Sequence, residues 1–346
     1  MKSIYYLVLY ATIIEIIMIV LIVLITVIVK FFSDSRNKQQ ITTRSEIEQF
    51  IMKRMKSHSQ INPSSFDDRW KKINLLLPII AYFDKYHSDT QWLGLRANFI
   101  RNIVLPLART AAESDDWTMR HYAAEAFTLF SENSDEKYIL KLIGDPIPLV
   151  RYSAAAAGII YGSQITFQGL IKQMSNESWL TQTMYMQGFD NIPSATHYLI
   201  ERLLKSSTDS AMRATCYYLL LKYPVFVSDW DIAKDTESKD MKLALVATQY
   251  LAYTHKGSAI EVLIKLLDHS DWRMRAVAIS CLGDLKVNSA ISYVSKMTDD
   301  NNWWVRFSAR QALQKFGDAG KHELALKNIN ESEMNIDISR QVLNTF

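Results

Sequence analysis

Residues 271–283, with the sequence DWRMRAVAISCLG, decide the fold because their pattern returns at a fixed interval along the chain. Arg275 lies near the middle of this stretch, with Ala278 three residues later and Leu282 seven residues later. Steps of 31 residues from Arg275 reach the matching positions Arg120, Arg151, Gln182, Arg213, Ala244 and Arg306. Seven units without an insertion or deletion indicate an internal repeat and not a chance match.

Each unit contains two predicted helices. The apolar residues at offsets −1, +3, +6 and +7 from the Arg275 position share one face of an amphipathic helix. A second apolar segment precedes that helix, as at residues 138–143, 199–204, 260–267 and 291–297. The turn between the helices carries a good helix-capping residue, namely Asp116, Asp209, Asp240, Asp271 or Asn302. Such pairs cannot bury their apolar faces alone, so we expect an all-α fold in which residues 70–346 stack into a right-handed α-solenoid.

The 271–283 stretch resembles the HEAT repeat, in the short form named after phycobilisome lyases. Similar units extend from about residue 92 to residue 346, and the first and last of them are degenerate. The resemblance implies that the second helix of each unit lines a concave face, and that Asp271 and Arg275 belong to an Asp/Arg ladder between repeats. Gln182 and Ala244 depart from that ladder. The family is specific for the fold and says little about function.

The predicted concave face suits a protein partner. It consists of offsets +1, +2, +4 and +5 of the seven second helices, and its charged residues are Glu125 and Arg310 alone. A phosphate backbone needs several Lys or Arg contacts, and the net charge of the chain is only +3, so nucleic acid is not an expected partner. Aromatic residues and Met are enriched in protein interfaces. We therefore predict protein contacts through Tyr122, Tyr152, Met184, Tyr217 and Tyr218.

The N-terminus predicts a membrane anchor over residues 1–32. From Ile4 to Val29 the chain is apolar apart from Glu15 and is long enough to span a bilayer. Lys and Arg follow the run, which predicts a single span in the inner (cytoplasmic) membrane with the repeats in the cytoplasm. Thr12, Glu15 and Thr26 fall on one stripe of this helix. That stripe is either a polar seam against another membrane helix or a Glu tolerated by a lone anchor.

Residues 33–69 are predicted to form a juxtamembrane connector. Ser45 and Glu48 have capping-box spacing, which indicates a helix start. Ile47, Ile51 and Met55 then recur at helical intervals opposite a basic side, the pattern of a basic amphipathic helix. We favour contact with anionic headgroups over the alternative, in which the helix docks on the following domain.

The sequence offers no convincing catalytic or metal-binding motif, so we expect neither an enzyme nor a cofactor. It lacks a Walker-type loop, a GxSxG motif and a CxxC motif, and its seven His residues are scattered. Cys216 and Cys281 occupy core offsets two repeats apart, about 20 Å at the usual spacing of packed helices, and should be buried, reduced and inert. Four Trp residues recur three positions before the Arg position, and we favour packing between repeats over a role as ligand hooks: Trp117, Trp179, Trp272 and Trp303.

Together these features predict a membrane-anchored cytoplasmic scaffold that binds a protein partner, itself expected to be a membrane protein. Anchored HEAT proteins of this build resemble accessory subunits beside bacterial envelope glycosyltransferases. The alternatives are a HEAT-type lyase or other enzyme acting on a bound small molecule, and a passive envelope element. Self-association through the membrane helix also remains open.

Overall fold

The computed structural model describes residues 2–57, 59–187, 189, 194–223, 232–254 and 256–329. For some helical stretches, including residues 2–14, 16–17 and 31–37, the description covers the backbone alone. Every regular element in these ranges is helical, which confirms the predicted all-α class. The chain forms two compact units, Met1–Tyr138 and Ile139–Phe346.

The first unit opens with a helix of 55 residues, and its last helix leads into the second unit. The α-helices are α1 (Lys2–Lys56), α2 (Ile73–Tyr86), α3 (Thr90–Phe99), α4 (Leu105–Ala111), α5 (Trp117–Leu129) and α6 (Glu136–Ile143). A π-helical turn, Ile100–Val104, joins α3 to α4 with helical backbone angles at both ends. Pro106 follows this turn, and because proline lacks an N–H it cannot close a normal helical hydrogen bond there.

The end of α1 packs on the first unit. Ile47, Ile51 and Met55 are buried, and this part of α1 contacts α2 and α3. The apolar side of this stretch is thus covered by protein, which favours the alternative, docking on the following domain, over contact with headgroups. The predicted helix start at Ser45 is wrong, because α1 continues through it and Arg44 forms an ion pair with Glu48 at 2.8 Å one turn later.

The membrane span predicted at residues 4–29 is not shown by the structure. In the part of the chain that the structure describes, no helix combines the length and the apolar character needed to cross a membrane. Glu15 is exposed, and Thr26 Oγ1 donates a hydrogen bond of 2.7 Å to the carbonyl of Ile22 in its own helix. The side chain of Thr12 lies outside the described residues.

The second helices of the repeats follow the predicted register. Apart from α5 they are α7 (Pro148–Tyr161), α9 (Trp179–Gln187), α11 (Ser210–Lys222), α13 (Met241–Thr254), α15 (Trp272–Asp284) and α17 (Trp303–Lys315). Their first residues, from 117 to 303, are 31 positions apart in every case. The period read from the sequence is thus the period of the fold.

Shorter first helices alternate with them. These are α8 (Gln164–Ser175), α10 (Ser194–Ser206), α12 (Ile232–Thr236), α14 (Lys256–Leu266) and α16 (Ile291–Lys296), and α18 (Asp318–Ile329) closes the series. Within the second unit, successive helix pairs pack on one another as in an α-solenoid. Capping residues start several second helices as predicted. The side chains of Asp209, Asp271 and Asn302, for example, accept hydrogen bonds from the first backbone N–H groups.

Gly283 allows α15 and α17 to approach closely. A Cβ atom at this position would lie 2.8 Å from the Cβ and 2.9 Å from the Cα of Ala312. Both distances are shorter than real side chains adopt, so the two helices could not keep their separation with any larger residue at position 283.

We predict that Gly283→Ala lowers the free energy of unfolding by about 1–3 kcal/mol, because the added methyl overpacks this contact. Gly94→Ala in α3 is the matched control, since a Cβ there would meet no atom within 4 Å. It should raise stability by about 0.5–1 kcal/mol through helix propensity. Denaturant unfolding of both variants measures the contrast, and equal effects would contradict the close packing.

Candidate protein-binding surface

The second helices expose fewer positions than the sequence pattern predicts. Offset +4 was assigned to the concave face, yet it is buried in all seven helices. The residues at this offset are Ala124, Ala155, Met186, Tyr217, Thr248, Ile279 and Arg310. Offset +4 is next to the buried offset +3 and packs among the same neighbours. It is therefore not part of the accessible face.

Tyr217 therefore does not qualify as a contact residue, and this prediction is wrong. Its side chain is 0% exposed, and its Oη donates a hydrogen bond of 2.7 Å to Oδ2 of buried Asp235. Its ring packs on that of Tyr250, with centroids 5.4 Å apart. Tyr217 is a structural residue that holds α12 and α13 against α11.

Arg310 is likewise inside the fold and not on the concave face. Its side chain is buried, and Nη1 donates a hydrogen bond of 2.9 Å to the carbonyl of Thr298. A buried guanidinium needs such partners because desolvation of a charge is costly. The sequence pattern predicted the Arg310 charge on the surface of α17, but the guanidinium lies in the interior of the fold.

Two other predicted residues lie on α7 and α9, neighbouring helices that both expose apolar side chains. We define the α7–α9 surface as Leu149 and Tyr152 on α7 with Leu180 and Met184 on α9. Leu149, Leu180 and Met184 are 46%, 64% and 49% exposed. Tyr152 is half-buried and packs edge-on against Tyr185, with ring centroids 4.9 Å apart.

Leu149 and Leu180 were missed because offset −2 was not included in the concave face. A signal for them exists in the sequence. At this offset α13 and α15 carry Lys242 and Arg273, as expected for a solvated position, whereas α7 and α9 carry leucine. A large apolar residue at a position that is exposed in other repeats indicates a contact surface.

Tyr122 and Tyr218 are half-buried and lie apart from this surface in the helix series. Tyr122 belongs to α5 of the first unit, where its ring neighbours that of His121 at 5.8 Å. Tyr218 belongs to α11 of the second unit, next to the buried Tyr217. Tyr152 and Met184 are the two predicted contact residues that lie on α7 and α9.

The ladder arginines connect successive repeats through carboxylates. Arg275 donates through Nη1 to the carbonyls of His269 and Ser270, at 2.8 and 3.1 Å. Its Nε and Nη2 bind both carboxylate oxygens of Asp300 at 2.8 Å. Arg151 makes the same kind of bridge, with Nη2 donating to Oε1 of Glu177 at 2.5 Å. Each arginine thus fixes the turn of its own repeat and reaches an acid of the next.

The acidic partner differs from the expected one. Asp271, assigned to the ladder by the resemblance, instead caps α15 and binds the neighbouring Arg273 at 2.7 Å. That hydrogen bond holds the pKa of Asp271 at about 2. The inter-repeat acid for Arg275 is Asp300, one repeat further along.

The two departures from the ladder behave differently. Gln182 is buried and its Nε2 donates to the carbonyls of Met174 and Glu177, at 2.8 and 3.1 Å. It therefore keeps the contact with its own turn and gives up the charge that would reach the next repeat. Ala244 has no polar side chain to do either.

The cysteines are consistent with inert core residues. Cys216 and Cys281 are free and buried, and burial raises the pKa of each thiol to about 12. Within the described residues, no group of three or more His, Cys, Asp or Glu side chains is arranged to hold a metal ion.

Three of the recurrent tryptophans are only partly covered by their neighbours. Trp117, Trp272 and Trp303 are exposed, so packing between repeats does not cover them as expected. Trp303 stacks instead on Phe307 of its own helix, with ring centroids 5.2 Å apart. The side chain of Trp179 lies outside the described residues.

Comparison with known proteins identifies the repeat type. Residues 232–314 match the family model for HEAT repeats, so the chain contains HEAT repeats in that range. No curated protein matches the chain.

Several solved structures are similar at low identity. Human deoxyhypusine hydroxylase in complex with glycerol is 13% identical, with 88% of this chain and 96% of that chain covered and a TM-score of 0.31. Escherichia coli YibA is 15% identical, with 73% and 93% covered and a TM-score of 0.35. An engineered protein is 16% identical, with 79% and 90% covered and a TM-score of 0.33. Likenesses at this level carry no information about function.

We predict that Asp300→Asn lowers the free energy of unfolding by about 2 kcal/mol at neutral pH, because it leaves Arg275 without its charged partner. Asp299→Asn is the control, since Asp299 forms an exposed pair with Lys327 and should lose less than about 0.5 kcal/mol. Denaturant unfolding of the two variants measures both losses, and equal losses would contradict the ladder.

The Asp300→Asn effect should also depend on pH. Burial opposes ionisation of Asp300, but hydrogen bonds from Arg275 and from the backbone of Asn302 outweigh it and lower the pKa below 3.8. A carboxylate with a depressed pKa stabilises the fold fully above its unfolded-state pKa and loses that contribution as the pH falls through the folded value. The difference between wild type and variant should therefore shrink below pH 3.8.

Proposed function

We propose that the protein is a scaffold that binds a protein partner through the α7–α9 surface. The observation that carries this proposal is the exposure of Leu149, Leu180 and Met184 on α7 and α9, two successive second helices that contact each other. HEAT repeats in general mediate protein interactions. Fold alone does not specify a function, so the argument depends on this patch and its chemistry.

The α7–α9 surface has the composition of an interface core. Among the residues of α7 and α9, Arg151 alone is charged, and it is engaged with Glu177 and the turn before α7. Depletion of charge together with aromatic, Met and aliphatic side chains is typical of the buried centre of a protein interface. A partner that offers an apolar face would remove this surface from water.

We also propose that α1 attaches the protein to the inner (cytoplasmic) membrane, with the repeats in the cytoplasm. The support is the apolar run from Ile4 to Val29 and the Lys and Arg residues that follow it. In the described part of this run, the side chains from Met18 to Val29 are exposed on all sides of α1. A helix that is apolar on every side favours a lipid environment over water.

The continuity of α1 supports a membrane-protein partner. Glu15 precedes Ile51 by 36 residues, which is ten turns at about 3.6 residues per turn. Glu15 thus lies on the side of α1 from which Ile51 packs on the first unit, and Thr26 lies within about 20° of that side. A partner helix that bonds Glu15 in the membrane would have its cytoplasmic part next to the first unit. An accessory subunit of a membrane enzyme, such as a bacterial envelope glycosyltransferase, fits this arrangement.

We propose binding and not catalysis as the role of the repeats. The buried acids that could serve as general acids or bases are committed to the fold. Asp235 is bonded to Arg213 and Tyr217, Asp135 is bonded to Arg109, and Asp145 accepts a hydrogen bond from the backbone N–H of Ile147. The half-buried Asp300 is bonded to Arg275. If one of these acids took part in catalysis, the buried group that it binds would lose its charged partner.

A photo-crosslinking residue placed at position 180 or 184 of the full chain tests the binding surface in cells. Both positions should crosslink to one and the same membrane protein, identified by mass spectrometry. Position 326 is the control, because Leu326 on α18 is equally apolar and 47% exposed but lies off the α7–α9 surface. Leu180→Ser should abolish the crosslink from position 184. The same product from position 326, or none from 180 and 184, would overturn the proposal.

Membrane attachment is tested by separating cell membranes and washing them with carbonate. The wild-type chain should remain in the membrane fraction. A Leu21→Arg/Leu24→Arg variant should be released, since each arginine near the centre of a span costs about 2.5–3.5 kcal/mol. Thr42→Arg/Thr43→Arg, on an exposed part of α1 beyond the run, is the control and should stay bound. Release of the wild-type chain would rule out the anchor.

A further inference from the structure

The step from α9 to α11 lacks the bridge that ladder arginines make in the second unit. Three of these arginines bind an acid supplied by the next repeat, namely Arg151 with Glu177, Arg213 with Asp235 and Arg275 with Asp300. The acids stand 26, 22 and 25 residues after their arginines, respectively. At the α9 step the ladder position is Gln182, and residues 204–208, which cover the same range, have the sequence LKSST. Both partners of the bridge are therefore replaced at this step.

The turn before α11 has the place for that acid, at Ser207. Its Oγ accepts a hydrogen bond of 3.2 Å from the backbone N–H two residues later, and its carbonyl accepts one of 3.1 Å from the ladder arginine Arg213. Asp300 makes the same two contacts in its own turn, at 2.8 Å with the N–H and 2.9 Å with Arg306. Ser207 follows Gln182 by 25 residues, which is also the separation of Asp300 from its arginine. The two turns are thus equivalent, and a neutral hydroxyl stands where the α15 step has a carboxylate.

The helices α9 and α11 are joined at their C-terminal ends. Oη of Tyr223, the residue that ends α11, donates a hydrogen bond of 2.7 Å to the carbonyl of Met186. The Tyr223 ring stacks on that of Phe189, with centroids 6.4 Å apart. At the other end of α9, Leu180 is 64% exposed, and Nε2 of Gln182 donates to two carbonyls on its own side of the step. One end of the step is thus tied, and the other end is without an arginine bridge.

Packing between second helices also differs at this step. From α11 onward the second helices pack on one another in series, α11 on α13, α13 on α15 and α15 on α17. In the described part of the chain, α9 packs chiefly on α7 and α8, and α11 reaches back to α8. Ala244 on α13 also lacks the ladder arginine, but α13 packs directly on both of its neighbours. The α9 step combines a missing bridge with less direct packing.

We propose that the second unit bends at a joint between α9 and α11, with Tyr223 at the pivot and the N-terminal ends of the two helices moving apart. In a repeat array each interface between neighbours contributes its own share of the stability, so bending is concentrated at the weakest one. Hinge motion of this kind is a common basis of shape change in proteins. The α7–α9 surface lies on one side of the joint, so bending would change the distance from Leu180 to α11. The joint itself does not depend on a binding role of that surface.

Pulsed electron paramagnetic resonance of the spin-labelled full chain in mild detergent tests the joint. Positions 180, 242 and 304 hold the same offset on α9, α13 and α17, and their side chains are exposed. The 180–242 pair spans the joint, whereas the matched 242–304 pair spans the same number of repeats beyond it. We expect the distance distribution of the 180–242 pair to be at least about twice as broad as that of the 242–304 pair. Equal widths would overturn the proposal.

Restoring the bridge tests whether its absence is the cause. Gln182→Arg/Ser207→Asp gives the α9 step the residues of the α15 step. It should narrow the 180–242 distribution to the width of the 242–304 distribution, because a charge-assisted hydrogen bond then spans the joint. Gln182→Arg/Ser207→Asn is the control, since Asn can keep the hydrogen bond within the turn but carries no charge, and it should leave the width unchanged.

Two results of the restored bridge would contradict the proposal. One is an unchanged 180–242 width in Gln182→Arg/Ser207→Asp while the 242–304 width stays as in the wild type, which shows that the variant is folded. The other is equal narrowing in this variant and in the Asn control.

Discussion

The bridge from a ladder arginine to the carboxylate of the next repeat is the interaction on which the repeat array depends. One end of Arg275 bonds two carbonyls of its own turn, and the other end bonds Asp300. The carbonyls at the end of a first helix have no helical partner, so the same side chain satisfies them and sets the angle of the following helix. Because the charge is largely desolvated, loss of the carboxylate partner lowers the stability of the repeat pair that it joins.

Packing between repeats divides the positions of each second helix into a buried set and an accessible set. Offsets +3, +4, +6 and +7 are buried in every second helix where they are described, and they carry mostly small or apolar residues, with the buried Arg310 as the charged exception. Offsets −2, +1, +2 and +5 are mostly accessible and differ from repeat to repeat. The residues that differ between repeats are therefore concentrated on one face of the second helices. On this face α7 and α9 carry Leu149, Leu180 and Met184, whereas α15 carries Arg273.

The sequence predicts the starts of most second helices because turn caps and apolar offsets recur together. It predicts the binding face less well. Helical periodicity gives Tyr217 and Tyr218 neighbouring positions on the surface of α11. Tyr217 is nevertheless buried, because Asp235 and Tyr250 from other helices pack against it. The ladder acid was misassigned for a related reason. Asp271 has the right residue type near Arg275, but only the fold shows that its oxygens are used for capping and for Arg273.

The long helix α1 shows how a local pattern is overridden by its context. Ser45 and Glu48 would start a helix in isolation, yet the first 62 residues contain neither glycine nor proline to end the helix that precedes them. Burial of Ile47, Ile51 and Met55 then fixes the rotation of the whole rod relative to the first unit. From Val29 to Ile47 the helix extends about 27 Å at 1.5 Å per residue, and this length separates its exposed apolar part from the part that packs on the first unit.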